Sequence, residues 1–131
     1  MGDPDAPTAP AVLSGLRTVQ AIQVEYDSAM WDIADPLLDN VRHIHLHLAV
    51  TLGKLARVLE PRDHAAHAGQ DPTPWNVDEL SPIVADLVIH AAQLATAVGV
   101  DLGDAFTARY RQNATRFAAS SRLATFGDAP E

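Results

Sequence analysis

Cysteine is absent from the 131 residues, which excludes disulfides, thiolate metal sites and cysteine nucleophiles together. Aromatic residues are scarce, at 5% against a hydrophobic fraction of 47%. Packing therefore falls to Ala, Leu and Val, and the first two favour helix. Runs that alternate apolar with polar residues are few. The clearest, HIHLHL over 43–48, lies inside a longer helical pattern. Cations are outnumbered: nine Lys and Arg face seventeen Asp and Glu, for a net charge of −8. A general nucleic-acid surface needs clustered cations and is excluded on that ground. The opening stretch, MGDPDAPTAP, is acidic and proline-rich, unlike a secretory signal or a transit peptide. Ala6 stands where a myristoylation signal wants Ser or Thr. Residues 82–100 are apolar enough to raise the membrane question, but Asp86, His90 and Gln93 interrupt them. Such polar positions suit a buried bundle helix better than a span. The expectation is a cytoplasmic all-α protein with neither membrane nor nucleic acid as partner.

What is present reads as four helices. Proline content and the lack of apolar periodicity make 1–9 a disordered segment. A helical domain is expected over 10–119, and 120–131 is expected to be a flexible tail with little to hold it. Within the domain a first helix is predicted over 11–31, with Val12, Leu16, Val19, Ile22 and Tyr26 on one side. Asp35-Pro36 is an N-cap followed by a first-turn proline, and a second helix runs from there to 59. Its expected buried stripe is Leu37, Val41, Ile44, Leu48, Leu52, Leu55 and Leu59, with Pro61 as the stop. Residues 60–77 form a long connection, either a lid or a disordered segment. Trp75 within it either stacks on a base or pins the loop to the core.

The third helix begins near Asp78 or Ser81 and carries Ile83, Val84, Leu87, Val88, Ala91, Leu94, Ala95 and Val98 as a wide stripe. Gly99 sits where a left-handed C-terminal cap belongs. Asp101 sits where the fourth helix, 102–119, needs an acceptor for its free N–H groups.

The order of these pieces, an Ala-Asp-containing hydrophobic helix, Gly99-Val100-Asp101-Leu102, then a helix ending in RQNATRF, resembles the MazG-type all-α nucleotide pyrophosphohydrolases over residues 37–118. The resemblance implies a four-helix bundle that completes its core and site as a homodimer. In that family, acids in the pattern Glu-Glu-x-x-Glu, a spacer, then Glu-x-x-Asp hold magnesium. Side chains three and four apart share a helix face, so opposed sets can surround a hard cation with oxygens. Here Leu52-Gly53-Lys54-Leu55-Ala56 stands where the family has a hydrophobic-Gly-Glu-Leu-Ala string. The first three acid positions become Val50, Thr51 and Lys54, and a further one becomes Arg57. On the third helix the Glu position is Ile83, and only Asp86 survives. One carboxylate does not hold a magnesium cluster. The family's closing Lys-x-x-x-Asn-x-x-Arg-Tyr string, which faces phosphate and sugar, is matched by Arg109, Asn113, Arg116 and Phe117; the exchange of Lys for Arg keeps the charge and adds a forked donor.

The resemblance therefore implies a catalytically degenerate member, binding a nucleotide or another phosphate ligand through Lys54, Arg57, Asp86, Arg109 and Asn113, or serving protein interaction, with no metal or other cofactor. Against that stands the plainer reading of each residue: Arg109 and Arg116 as solvated cations near a helix end, and Lys54 as an ion-pair partner that neutralises Asp86. Two rivals stay open. One is a divergent pyrophosphohydrolase with a rebuilt site on Asp86, His47 and His90, the only reading in which magnesium enters. The other is a helical partner within a larger complex. His43 and His47 are four apart on the second helix, as are Asp86 and His90 on the third. If the two helices are antiparallel, these four meet as a set suited to zinc rather than magnesium. Neither a glycine-rich phosphate loop nor a serine nucleophile elbow is evident.

Overall fold

A computed structural model of the chain describes residues 3–30, 39–71 and 74–128. They form helices α1 (Ala9–Met30), α2 (Asn40–His67), α3 (Val77–Val98) and α4 (Leu102–Phe117), then a short 3-10 turn over Arg122–Thr125, and among them there is no strand. The fold is all-helical. The chain divides into two compact units, one of residues 1–32 with 95–131 and one of 33–94.

In the first unit, α1 packs against α4. Gly103 is buried where they meet. A Cβ added there would stand 3.0 Å from the Leu13 carbonyl oxygen and 3.1 Å from Leu13 Cδ2, so any larger residue would push α1 back by a few tenths of an ångström. Arg17 on α1 holds the α4 N-terminus through Asp101 at 3.0 Å and Asp104 at 2.9 Å. Asp101 is also the N-cap of α4 and accepts from the Asp104 backbone N–H at 2.8 Å, satisfying a donor that the helix cannot. Gly99 has φ of +74° and ends α3 as its position predicts.

Gln20 ties α1 to the turn between α3 and α4. Its amide nitrogen donates to the Val100 carbonyl at 2.9 Å and to the Thr96 hydroxyl at 3.1 Å, while its oxygen accepts from Leu102 N–H at 2.8 Å. The 3-10 turn lies on α4, with Phe126 buried. Arg111 Nη1 donates to the Phe126 carbonyl at 3.2 Å and pairs with Asp128 at 3.2 Å. The described part of the tail, expected to have little holding it, is held here. Its signal was one phenylalanine, too sparse to show periodicity.

In the second unit, α2 and α3 are antiparallel: Thr51 meets His90 at 2.8 Å, and Arg62 lies over the Trp75 ring at 4.3 Å. Trp75 thus pins the connection to α2. Asp39 is the observed N-cap of α2, accepting from Val41 N–H at 2.9 Å; Asp35-Pro36 and Leu37 lie outside the described residues. Pro61 does not stop the helix, which continues to His67. A proline inside a helix forfeits one hydrogen bond. The turn beyond it carries the i,i+4 pairs Glu60–His64 at 3.5 Å and Asp63–His67 at 3.9 Å, with both histidines near the C-terminal end of the helix dipole. The long connection expected over 60–77 shrinks accordingly.

The buried face of α2 also differs from the expected stripe. Val41, Leu52 and Leu59 are exposed, while Ile44 and Thr51 are buried and Leu48, Leu55 and Val58 half-buried. At 100° per residue this turns the inward face by roughly 40°, because hydrogen-bonded Thr51 substitutes for leucine at the centre. On α1, Ile22 and Tyr26 are exposed and Gln23 is buried, donating to Asp27 at 2.9 Å. On α3, Ile83, Ala92 and Ala95 are buried, but Val84, Val88, Leu94 and Val98 are exposed. By length and composition α3 is apolar enough to cross a membrane, a test that the core helix of a soluble bundle also passes.

Candidate functional site

The rotation of α2 decides what the carried-over ligand positions can do. Thr51 is only 3% exposed and is committed to His90: its Oγ1 lies 2.8 Å from Nε2, and His90 Nδ1 lies 3.2 Å from Gln93 Oε1. An amide carbonyl only accepts, so a neutral His90 ring carries its proton on Nδ1 and receives the Thr51 hydroxyl at Nε2. Both ring nitrogens are then occupied. Ile83, where the resemblance puts a ligand glutamate, is 5% exposed and its side chain carries no oxygen. Val50, Lys54 and Arg57 are exposed on α2, and Asp86 is half-buried on α3. Among the described residues no ion pair within 4 Å joins Lys54 to Asp86, so the neutralising pair is not formed. Lys54 and Arg57 instead stand one turn apart on the outer face.

The antiparallel pairing does assemble the histidines. The rings of His43 and His47 are 4.4 Å apart and those of His47 and His90 are 6.3 Å apart. Asp86 makes no contact with them that would complete a four-ligand set, and among the described residues no group of three or more His, Cys, Asp or Glu is arranged to hold a metal ion. Lys54, Arg57 and the three histidines all lie in the second unit. Arg109 and Asn113 are in the first, both exposed on α4, with Arg109 Nη1 donating to Gln112 Oε1 at 2.9 Å. Arg116 lies over the Phe117 ring at 4.9 Å.

Charge is most strongly organised at the start of α4. The backbone N–H of Asp104, then Arg17, hold the Asp101 carboxyl below its ordinary pKa, and Asp101 in turn raises Arg17. This cluster fixes a helix terminus and carries no reactive group.

Sequence periodicity missed Gln20, Gln23, Thr51 and Thr107, polar residues that take inward positions. Their signal was positional. Gln23 and Thr51 continue inward series at i+4 and i+3 from Val19 and Leu48, and an apolar-only count passes over them. Comparison with protein-family models, curated proteins and solved structures finds no match to this chain.

Proposed function

We propose that this chain is a MazG-like helical protein that has lost magnesium-dependent hydrolysis and acts by binding, through self-association and capture of a phosphate-bearing ligand. One observation carries the reading. Of the carried-over ligand positions, Thr51 on α2 is bonded to His90 and Ile83 on α3 is a buried hydrocarbon, leaving Asp86 as the single carboxylate of the set. Magnesium takes most of its protein ligands as carboxylate oxygens, and one acid cannot bridge two ions across a helix pair. Lys54 and Arg57, exposed one turn apart, supply fixed positive charge where the family places cations. A helical partner role in a larger complex is the second reading, favoured by the exposed Val77, Val84 and Val88 along one line of α3.

Purified chain with magnesium and each common nucleoside triphosphate should release no pyrophosphate above the protein-free background. Turnover that disappears in Asp86→Ala would overturn the reading and favour the rebuilt enzyme site on Asp86, His47 and His90.

A further inference from the structure

Three of the six histidines fall within one short run of α2, His43-Ile44-His45-Leu46-His47. At 100° per residue His43 and His47 share one side of the helix and His45 lies on the other. The structure brings the first and last rings together, with centroids 4.4 Å apart and planes tilted by 58°. A tilt of that size is not a stack, but the spacing is that of a chelate. With metal–nitrogen bonds of about 2.0 Å, two imidazoles on one ion at right angles have centroids about 4.5 Å apart, and at the tetrahedral angle about 5.2 Å. The 4.4 Å separation fits the right angle. His47 is exposed and His43 half-buried, so an ion reaches the pair from solvent. The surroundings offer nitrogen without oxygen. From Asn40 to Leu59 the helix carries no carboxylate, and its charges are Arg42, Lys54 and Arg57. A hard cation such as magnesium gains nothing there. His90 on α3 lies 6.3 Å from His47, ring to ring, but Thr51 and Gln93 already engage its two nitrogens. It borders the pair without joining it.

We propose that His43 and His47 form a two-ligand site for a tetragonal divalent transition ion, copper(II) or nickel(II). Imidazole suits both ions, and both favour the right-angled geometry that the ring spacing fits. One nitrogen of each ring binds the ion, and a hydrogen bond at the other nitrogen orients the ring. The remaining positions on the ion are open to water or a small ligand. Because its ligands are one turn apart, the site exists only while 43–47 is helical, so ion binding stabilises α2. The site is smaller than the four-ligand zinc set that the spacing of His43, His47, Asp86 and His90 suggested. It needs none of the carried-over acids, and it stands apart from phosphate capture at Lys54 and Arg57.

The test uses the untagged full chain, with copper(II), nickel(II) and magnesium(II) salts as probes. Copper(II) should bind saturably, and its electron paramagnetic resonance spectrum should show two imidazole nitrogens in the plane of the ion. Nickel(II) should compete for the site and excess magnesium(II) should not. His43→Asn with His47→Asn should abolish the two-nitrogen spectrum. His47→Gln, at an exposed position, serves if the double variant does not fold. It should leave one nitrogen and weaken copper binding at least roughly tenfold, since the chelate loses its second, intramolecular contact. His45→Asn, on the opposite side of α2, should change nothing, and neither should His64→Asn with His67→Asn. Absence of saturable copper binding overturns the proposal. So does a two-nitrogen spectrum that survives His47→Gln, one that is lost in the His45 or the His64 and His67 variants, or displacement of copper by magnesium.

Discussion

At Gly53 and Gly99 the same substitution, glycine to alanine, has opposite consequences. Nothing lies within 4 Å of a Cβ built at either position, so only the backbone decides. Gly53 is inside α2, where glycine costs roughly 0.5–1 kcal/mol relative to alanine; Gly53→Ala should raise stability by about that much. Gly99 has φ of +74°, and a left-handed alanine costs roughly 1–2 kcal/mol, so Gly99→Ala should lower it. Paired urea titrations check both signs. Asp101 offers a second single-residue test. Its folded pKa is depressed, first by the Asp104 N–H and then by Arg17. A depressed acid contributes stability above its unfolded value, and that stability is lost as pH falls through the folded value. Asp101→Asn keeps an N-cap side chain but removes the charge facing Arg17. Its melting temperature should lie below wild type at pH 7, and the gap should close below the ordinary value of 3.8. A gap that does not narrow at all as pH falls below 3.8 would show that the charge contributes nothing. Arg17 is raised and loses its contribution only in strong alkali, outside this window.

For the paired elements α2 and α3, the deciding contact is Thr51 to His90. Thr51→Val keeps the shape and removes the hydroxyl, leaving His90 Nε2 without the donor that faces it. An unsatisfied group of this kind costs about 1–3 kcal/mol, and Thr51→Ser should recover most of the loss. A Thr51→Val protein as stable as wild type would show that the hydrogen bond does not hold the two helices. The same contact explains how far the candidate site was readable beforehand. Which residues share a face of α2 follows from 100° per residue, so the grouping of Val50, Lys54 and Arg57 was legible. Which way that face points was not, because hydropathy ranks Leu52 above Thr51 and assigns no weight to a partner on another helix. The i,i+4 spacing of His43 and His47 was legible for the same reason, and their approach to His90 required the antiparallel pairing. Pro61 shows the converse limit: a local breaker rule ends the helix at a residue that lies inside it.

At the scale of the whole molecule, little large apolar surface is buried among the described residues. The buried hydrophobic residues are Ile44, Ile83, Ala92, Ala95, Ala114 and Phe126, and no large side chain is fully enclosed among the described residues. Val84 is 60% exposed and Val77 70%. Contiguous apolar patches on soluble proteins mark interaction surfaces, and symmetric dimers are the commonest way of covering them. Sedimentation at micromolar concentration should show a dimer or larger species. Val84→Glu with Val88→Glu, which places charge on the exposed line of α3, should shift it toward monomer. A wild-type monomer would count against association, and an undisturbed dimer in the variant would move the interface off that line.

By itself the sequence determined the helical class, the α3–α4 turn and the capping of α4, because each depends on residues a few positions apart: Gly99 on its own φ, Asp101 on the N–H three residues on, Ala and Leu on intrinsic propensity. The charge run from Arg109 to Arg122 was equally present in the chain. Only the tertiary structure decided that Gln20 closes the α3–α4 turn, that Thr51 rather than Leu52 faces α3, and that Arg111 holds the segment around the 3-10 turn to α4. Those outcomes depend on partners far apart in the chain. A buried polar side chain finds its place by hydrogen-bond geometry, which no periodicity in one helix encodes.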